Sequence, residues 1–139
     1  MPSKALVVDQ HPCAGGPWEA VREVIEAHAE HVLFFVPESA FAEAEEHLAA
    51  LVVKRGGDPE KALALLRSLV RLVELIGSEV YGELEAEARE RLSRRDPEDW
   101  PILACALALR CPVWTEDTDF FGCGVATWTS DRVRMFLRD

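Results

Sequence analysis

Acidic side chains occupy the positions in this sequence that are most typical of chemistry. Asp9 and Asp117 each follow a short apolar run, Asp99 opens an apolar helical segment, Glu43 lies within a helical segment, and Asp119 is two residues beyond Asp117. Carboxylates gathered in one crevice repel each other, and some would stay protonated unless a cation joined them. Hard oxygen ligands suit Mg²⁺ or Mn²⁺. Such an ion can activate a water and stabilise the reacting oxygens of a phosphodiester.

Some of these acids also have a purely structural explanation. Residues 96–99 (Asp-Pro-Glu-Asp) repeat the first three residues of 58–61 (Asp-Pro-Glu-Lys). The shared Asp-Pro-Glu pattern therefore predicts a helix start by itself, with Asp96 as the N-cap and the proline in the first turn. Only the fourth position differs, and an acid there could simply favour the helix dipole. Asp99 alone is consistent with either role.

The remaining acids differ in how easily folding explains them. Glu43 stands among other glutamates, so it could belong to a solvated helix face. Asp119 could be a turn residue. Asp9 is alone at the end of an apolar strand, and folding explains it least well. Several acids that meet at one place would favour a metal site over these separate explanations.

Short apolar runs alternate with helical segments along the chain, which we interpret as a single domain over residues 1–139. The predicted strands are residues 4–9, 31–36, 71–76, 111–115 and 125–129. The predicted helices are residues 18–29, 38–54, 59–70, 78–92 and 97–109, and a last helix capped by Ser130 runs through 137. Alternation of this kind predicts a three-layer α/β/α fold with a central, mostly parallel sheet of about five strands. Ligand sites in such sheets lie beyond the carboxyl ends of the strands, where Asp9 and Asp117 are expected.

Composition limits the classes of function. The net charge of −10 argues against a protein that holds nucleic acid by its overall charge. A local basic patch remains available in the arginines 89, 91, 94 and 95, which could contact RNA or could pair with neighbouring glutamates on a helix face. The four cysteines lack Cys-x-x-Cys spacing, so we expect free thiols. No apolar run reaches the roughly 20 residues of a membrane span, and we expect a cytoplasmic protein.

The sequence resembles the PIN-domain family, which includes the VapC-like toxins of toxin–antitoxin pairs. The resemblance rests on LVVDQ, PESAFAEAEEHL, RDPEDWPILACALAL, PVWTEDTDF and VATWTSD, which together span nearly the whole chain. It implies a Mg²⁺- or Mn²⁺-dependent ribonuclease whose catalytic acids are Asp9, Glu43, Asp99 and Asp117. Asp119 matches a further metal-binding acid, and Thr115 matches the hydroxyl that leads the Thr-x-Asp-x-Asp turn. We predict that Thr115, His11, Arg94 and Arg95 contact the RNA substrate.

Gln10 and His11 depart from the family pattern, in which Thr or Ser and then Asn often follow the first Asp. The alternative function is therefore a catalytically inactive PIN-like domain that binds RNA or protein. A receiver-type phosphoacceptor would also gather acids at strand ends, but it needs a lysine late in the chain, and the last lysine here is Lys61. The resemblance also implies an antitoxin partner and a homodimer. The apolar segment 63–75 could supply the dimer interface.

Overall fold

In a computed structural model that describes residues 4–9 and 18–138, strands and helices alternate as the sequence predicts. The strands are β1 (Lys4–Asp9), β2 (Val32–Pro37), β3 (Glu74–Ile76), β4 (Val113–Thr115) and β5 (Thr127–Trp128). The helices are α1 (Trp18–His28), α2 (Glu38–Lys54), α3 (Pro59–Ser68), α4 (Ser78–Tyr81), α5 (Glu85–Arg91), α6 (Trp100–Leu109) and α7 (Val133–Leu137). Within these described ranges, no helix is both long enough and apolar enough to cross a bilayer.

The five strands form one parallel sheet in the order β3-β2-β1-β4-β5. The predicted three-layer α/β/α fold is confirmed, and the sheet is parallel throughout. Alternate residues of the central strands enter opposite halves of the core. Val7 of β1 and Val113 of β4 pack with α6, whereas Leu6 of β1 and Trp114 of β4 pack with α1 and α7. Burial on both faces explains why these strands are continuous apolar runs.

The order of strands places the carboxyl ends of β1 and β4 side by side at the centre of the sheet. Asp9 and Thr115 are register partners at these ends. The apolar helix α6 leads into β4, and its residues 102–106 are buried. Its N-terminus therefore lies at the same edge of the sheet as the ends of β1 and β4. This arrangement brings Asp99, which immediately precedes α6, to that edge.

Several boundaries differ from the sequence predictions. The third strand covers only residues 74–76, because residues 69–71 continue the preceding helix as a 3₁₀ turn. The predicted helix 78–92 is divided into α4, a 3₁₀ turn at 82–84 and α5. Strand β5 has two residues instead of five. Ser130 does not cap α7; its hydroxyl accepts a hydrogen bond of 3.0 Å from the indole N–H of Trp114, and Arg132 precedes the helix without a side-chain cap.

Helices α2 and α3 form a hairpin with a small core of their own. Gly56, at φ 77°, ends α2 in the left-handed conformation that the Gly-Gly pair predicts. Ala44 and Leu48 of α2 pack against Leu66 of α3 and Leu69 just beyond it. The apolar segment 63–75 is therefore partly used inside the protomer. Val70 stays exposed at 40%.

Candidate metal centre

Thr115 joins the ends of β1 and β4. Its side chain is fully buried, and its hydroxyl donates a 2.7 Å hydrogen bond to Oδ2 of Asp9. The same oxygen accepts a 2.9 Å hydrogen bond from the backbone N–H of Asp117. A buried hydroxyl must satisfy its hydrogen-bonding capacity, and here both bonds go to the acidic edge. Thr115 therefore fixes the carboxylate of Asp9 and the start of the turn that follows β4.

The turn after β4 brings two acids close to Asp99. Asp117 caps a short 3₁₀ turn at 118–120, and its Oδ1 accepts a 2.8 Å hydrogen bond from the N–H of Asp119. Asp99, Asp117 and Asp119 each offer a carboxylate oxygen, and these three oxygens lie within 4.8 Å of one another. All three residues are half-buried. This spacing is suitable for sharing one cation.

Crowding at this edge changes the ionisation of Asp99. Its pKa rises from 3.8 to about 7, chiefly because burial penalises the charged carboxylate and then because Asp9, Asp96 and Asp117 repel it. A hydrogen bond that it shares with Asp117 acts in the same direction. A nearby cation would stabilise the charged form of a carboxyl group that keeps its proton near neutral pH beside other carboxylates.

The acids border a cleft of about 330 Å³ between the α2–α3 hairpin and the N-terminus of α6. Seven acids line the cleft: Asp9, Glu43, Asp96, Glu98, Asp99, Glu116 and Asp117. Its apolar lining residues include Phe41, Leu66 and Val73. Of the described residues that line it, none is lysine or arginine. The cleft therefore presents a negative field with an apolar extension.

Glu43 lines this cleft but lies apart from the three grouped aspartates. Its side chain is 69% exposed and lies 3.9 Å from Nε2 of His47, four residues later on the same face of α2. Asp9 also lies outside the group within 4.8 Å, although its charge acts on Asp99. The structure thus places all five predicted acids at one end of the sheet, with Glu43 on the α2 wall.

The other predicted substrate contacts have varied positions. Thr115 is buried behind Asp9 and holds it in place. Arg94 is exposed, whereas the guanidinium of Arg95 donates to backbone carbonyls of the acidic turn. Gln10 and His11 lie outside the described residues.

The remaining arginines of the basic patch largely pair with glutamates. Arg89 contacts Glu85 at 2.7 Å, and Arg91 contacts Glu87 at 3.1 Å. These i,i+4 pairs match the solvated-face interpretation of the patch.

Two acids act as helix caps, as the sequence predicts. Asp96 and Asp58 accept hydrogen bonds from the backbone N–H of Glu98 and Glu60, at 3.1 and 3.0 Å. The predicted N-cap role of Asp96 is confirmed. The repeated Asp-Pro-Glu pattern is a helix start in both places, and only the second one leads to a residue of the acidic cluster.

The cleft is also lined by polar residues that were not predicted as site residues, among them His47, Ser39 and Glu116. His47 follows Glu43 by four positions, a spacing that places two side chains on one helix face. Ser39 lies in the first turn of α2, and its hydroxyl is 3.3 Å from the Tyr81 hydroxyl. Glu116 lies in the acidic turn and accepts a 2.6 Å hydrogen bond from the N–H of Ser130. The helical spacing of His47 is the one sequence signal that could have revealed any of them.

The donor set fits a hard divalent cation. The grouped ligand atoms are carboxylate oxygens alone, without cysteine or histidine in the described part of the cluster. Zinc sites generally use sulfur and nitrogen ligands, whereas Mg²⁺ and Mn²⁺ prefer carboxylates and water. Such an ion would also relieve the repulsion that Asp9, Asp96 and Asp117 exert on the carboxylate of Asp99. The aspartate cluster could therefore bind a metal.

Comparison with known proteins agrees with this architecture. The structure of VapBC2 from Rickettsia felis, bound to a DNA fragment from its promoter, matches with a TM-score of 0.63 and 16% identity over 90% of this chain and 98% of that chain. FitAcB from Neisseria gonorrhoeae matches with a TM-score of 0.62 and 21% identity over 90% of this chain and 97% of that chain. No curated protein sequence matches. A family model described as the PIN domain matches residues 16–138, which include every predicted site acid except Asp9. Because that match extends over most of the sequence, the protein belongs to the PIN-domain family.

Proposed function

We propose that this protein is a metal-dependent endoribonuclease that hydrolyses RNA phosphodiester bonds. The observation that carries the proposal is the meeting of Asp99, Asp117 and Asp119 within 4.8 Å at the carboxyl edge of the sheet. This arrangement supports a Mg²⁺ or Mn²⁺ site beside an open cleft, which is where open α/β sheets bind ligands. Membership of the PIN-domain family supports the choice of a nuclease as the class of enzyme.

The acids would divide the work by position. Asp99, Asp117 and Asp119 would hold the metal directly, and Asp9 would add its charge from the end of β1, oriented by Thr115. Glu43 of α2 lines the same cleft and would orient a water or complete the ligand set. A bound divalent ion would supply a water of lowered pKa and a counter-charge for the phosphate. The protein's own contribution is to hold these carboxylates in fixed positions before substrate arrives.

The charge of the cleft favours this proposal over metal-free binding of RNA. Phosphate groups would meet carboxylates, and none of the described lining residues is lysine or arginine. RNA is therefore expected to enter this cleft only when a cation is present. An inactive domain that docks a protein partner stays compatible with the geometry. Exposed Arg94 remains a proposed RNA contact outside the cleft.

The biological setting that we propose is a cytoplasmic type II toxin–antitoxin pair, in which a second protein covers the site. The fold shared with VapBC2 and FitAcB supports this setting. A homodimer through the segment 63–75 is part of the same proposal. Leu66 and Leu69 are already buried within the protomer, so exposed Val70 is the residue of this segment most available to a second copy.

The test is Mn²⁺-dependent cleavage of a structured RNA by wild type, Asp99→Asn and Asp58→Asn. Asp99→Asn keeps the shape of the side chain and removes the charge that a metal needs. Asp58→Asn is the matched control, since Asp58 opens the same Asp-Pro-Glu pattern outside the cleft. We expect cleavage by wild type and the control, and loss of more than about 100-fold in Asp99→Asn, as for removal of a group that stabilises transition-state charge.

Each alternative outcome has a definite meaning. Equal cleavage by all three proteins, or cleavage that persists in EDTA, would contradict the proposed site. Absence of cleavage together with absence of Mn²⁺ binding by wild type would favour the inactive protein-binding domain. A parallel assay with single-stranded DNA identifies the substrate class.

A further inference from the structure

The acidic cluster is assembled from two separate segments that repel each other. Asp99 comes from the helix start at 96–99, whereas Asp117 and Asp119 come from the turn after β4. One carboxylate oxygen of each residue lies within 4.8 Å of the others, and like charges at this spacing repel. Without metal, the repulsion between the carboxylates would decrease if the turn moved away from the helix start. Some contact outside the cluster must therefore hold the two segments together.

Arg95 makes such a contact. Its backbone directly precedes Asp96, the cap of the helix start. Its Nη1 donates to the carbonyl of Asp119 at 2.7 Å and to the carbonyl of Thr118 at 3.4 Å, and it also contacts the carbonyl of Phe121. A single guanidinium thus gathers the carbonyls of the turn that carries the acids. Hydrogen bonds from a charged donor are worth more than neutral ones, even where exposure weakens them.

The loop beyond the turn lies against the guanidinium groups of Arg95 and Arg91. Gly122, at φ +82°, would place an added Cβ 3.5 Å from Nη2 of Arg95. Gly124, at φ +95°, would place a Cβ in collision with Nη1 of Arg91. Arg91 itself donates a 3.0 Å hydrogen bond to the carbonyl of Cys123. Gly124 therefore leaves space that the guanidinium of Arg91 occupies, whereas the distance at Gly122 is an ordinary van der Waals contact.

Arg94 provides a natural comparison at the next position in the sequence. It carries the same charge as Arg95 and is likewise exposed. Among the described residues, no hydrogen bond or ion pair involves Arg94, whereas Arg95 reaches three carbonyls. The two side chains thus separate a general effect of positive charge from the specific contact with the turn.

We propose that Arg95 is a positioning residue of the metal centre, which ties the turn bearing Asp117 and Asp119 to the helix start bearing Asp99. This inference rests on the proposed function and deepens it. Arg95 acts through the backbone of the turn and touches neither metal nor RNA. Its loss would let the acids separate in the free protein, so that metal binding would have to draw the turn back into place.

Mn²⁺ titration followed by electron paramagnetic resonance of the free ion tests this role in wild type, Arg95→Ala, Arg95→Lys and Arg94→Ala. We expect the dissociation constant for Mn²⁺ to rise roughly tenfold or more in Arg95→Ala, as for other groups that orient metal ligands. Arg95→Lys keeps the charge on a shorter side chain, and its dissociation constant for Mn²⁺ should lie between those of wild type and Arg95→Ala. Arg94→Ala should bind Mn²⁺ like wild type. In cleavage assays, Arg95→Ala should need more Mn²⁺ for half-maximal rate, with little change in the KM for RNA at saturating metal.

Three results would overturn the inference. Mn²⁺ affinity in Arg95→Ala equal to that of wild type would show that the contact does not position the acids. A raised KM for RNA in both Arg94→Ala and Arg95→Ala, with unchanged Mn²⁺ affinity, would make both arginines substrate contacts. Absence of Mn²⁺ binding by wild type would remove the proposed function together with this inference. If Arg95→Ala fails to fold, Arg95→Met decides, because methionine keeps much of the apolar stem and cannot donate a hydrogen bond; wild-type Mn²⁺ affinity in it refutes the inference.

Discussion

Replacement of Asp99 by Asn isolates the electrostatic cost of the acidic cluster. Folding raises the pKa of Asp99 from 3.8 to about 7, foremost through burial and then through the charges of Asp9, Asp96 and Asp117. In the unfolded chain the carboxyl group has its ordinary pKa. As the pH rises from about 4 to 7, the unfolded chain releases this proton while the folded state keeps it. The free energy of unfolding therefore decreases across this window as the pH rises, and the decrease due to Asp99 is complete above pH 7.

The size of the effect follows from the same shift. A pKa change from 3.8 to about 7 corresponds to about 4 kcal/mol for a fully shielded group. Asp99 is only half-buried, so water screens the repulsion, and we expect about 1–2 kcal/mol. Asn has nearly the same shape without the charge. Asp99→Asn should therefore be more stable than wild type by about 1–2 kcal/mol at pH 8, and nearly equal to it at pH 4.5.

Urea unfolding in EDTA at pH 4.5, 6 and 8 measures this difference. Asp58→Asn is the control, because Asp58 is an exposed helix cap outside the cleft. Removing its charge should cost a fraction of a kcal/mol, opposite in sign to the effect at Asp99. Adding Mn²⁺ at pH 8 should reverse the order of stability. At a concentration 100 times the dissociation constant, wild type should gain about 2.7 kcal/mol and Asp99→Asn much less.

Two results would each refute this explanation of the stability difference. If Asp99→Asn is less stable than wild type at pH 8, the Asp99 carboxylate is held by favourable contacts instead of being repelled. A stability difference that is the same at all three pH values would likewise show that the proton of Asp99 is not involved. Either finding would remove the electrostatic argument for a cation at this place.

Two further substitutions test the supports of the cluster. Thr115→Val keeps the side-chain volume but removes the hydrogen bonds to Asp9 and Asp117. We therefore expect a loss of about 1–3 kcal/mol in urea unfolding and weaker Mn²⁺ binding. Exposed Thr118→Val is the control, and equal stability of the two variants would contradict the role of Thr115. Gly124→Ala should cost about 1–2 kcal/mol in urea unfolding from its positive φ, and the guanidinium of Arg91 would also have to move away from the added carbon. Gly56→Ala is the control, because its φ is likewise positive and nothing lies within 4 Å of the added carbon; an equal loss at both glycines would show that the Arg91 contact adds nothing.

The sequence predicts the parts of this site that depend on strand ends and helix starts. Asp9 and Thr115 are register partners because each stands at the carboxyl end of a buried parallel strand, and that position follows from apolar periodicity. The repeated Asp-Pro-Glu pattern likewise predicts a helix start before Asp99. These features are local, so local patterns identify them.

Other features depend on distances between segments, which periodicity does not encode. Glu43 and Asp119 have equal standing as acids in the sequence, but only Asp119 lies within 4.8 Å of Asp99 and Asp117. Charge alone predicts Arg95 as a substrate contact, and its hydrogen bond to the carbonyl of Asp119 exists only because the acidic turn folds back beside it. Ser130 resembles a helix cap by residue type, but the buried indole of Trp114 needs its oxygen. Tertiary contacts decide each of these cases.

The central place of β1 has a consequence for the order in which this protein can be made. Residues up to 76 include β1, β2 and β3, which are adjacent in the sheet and can pair as soon as they leave the ribosome. The other side of β1 stays open until β4 has been synthesised, and Asp9 then meets Thr115 across 106 positions of chain. A nascent chain that stops before Asp99 would have paired strands and no acidic cluster. Translation therefore separates the pairing of the first three strands from the assembly of the acidic cluster in time.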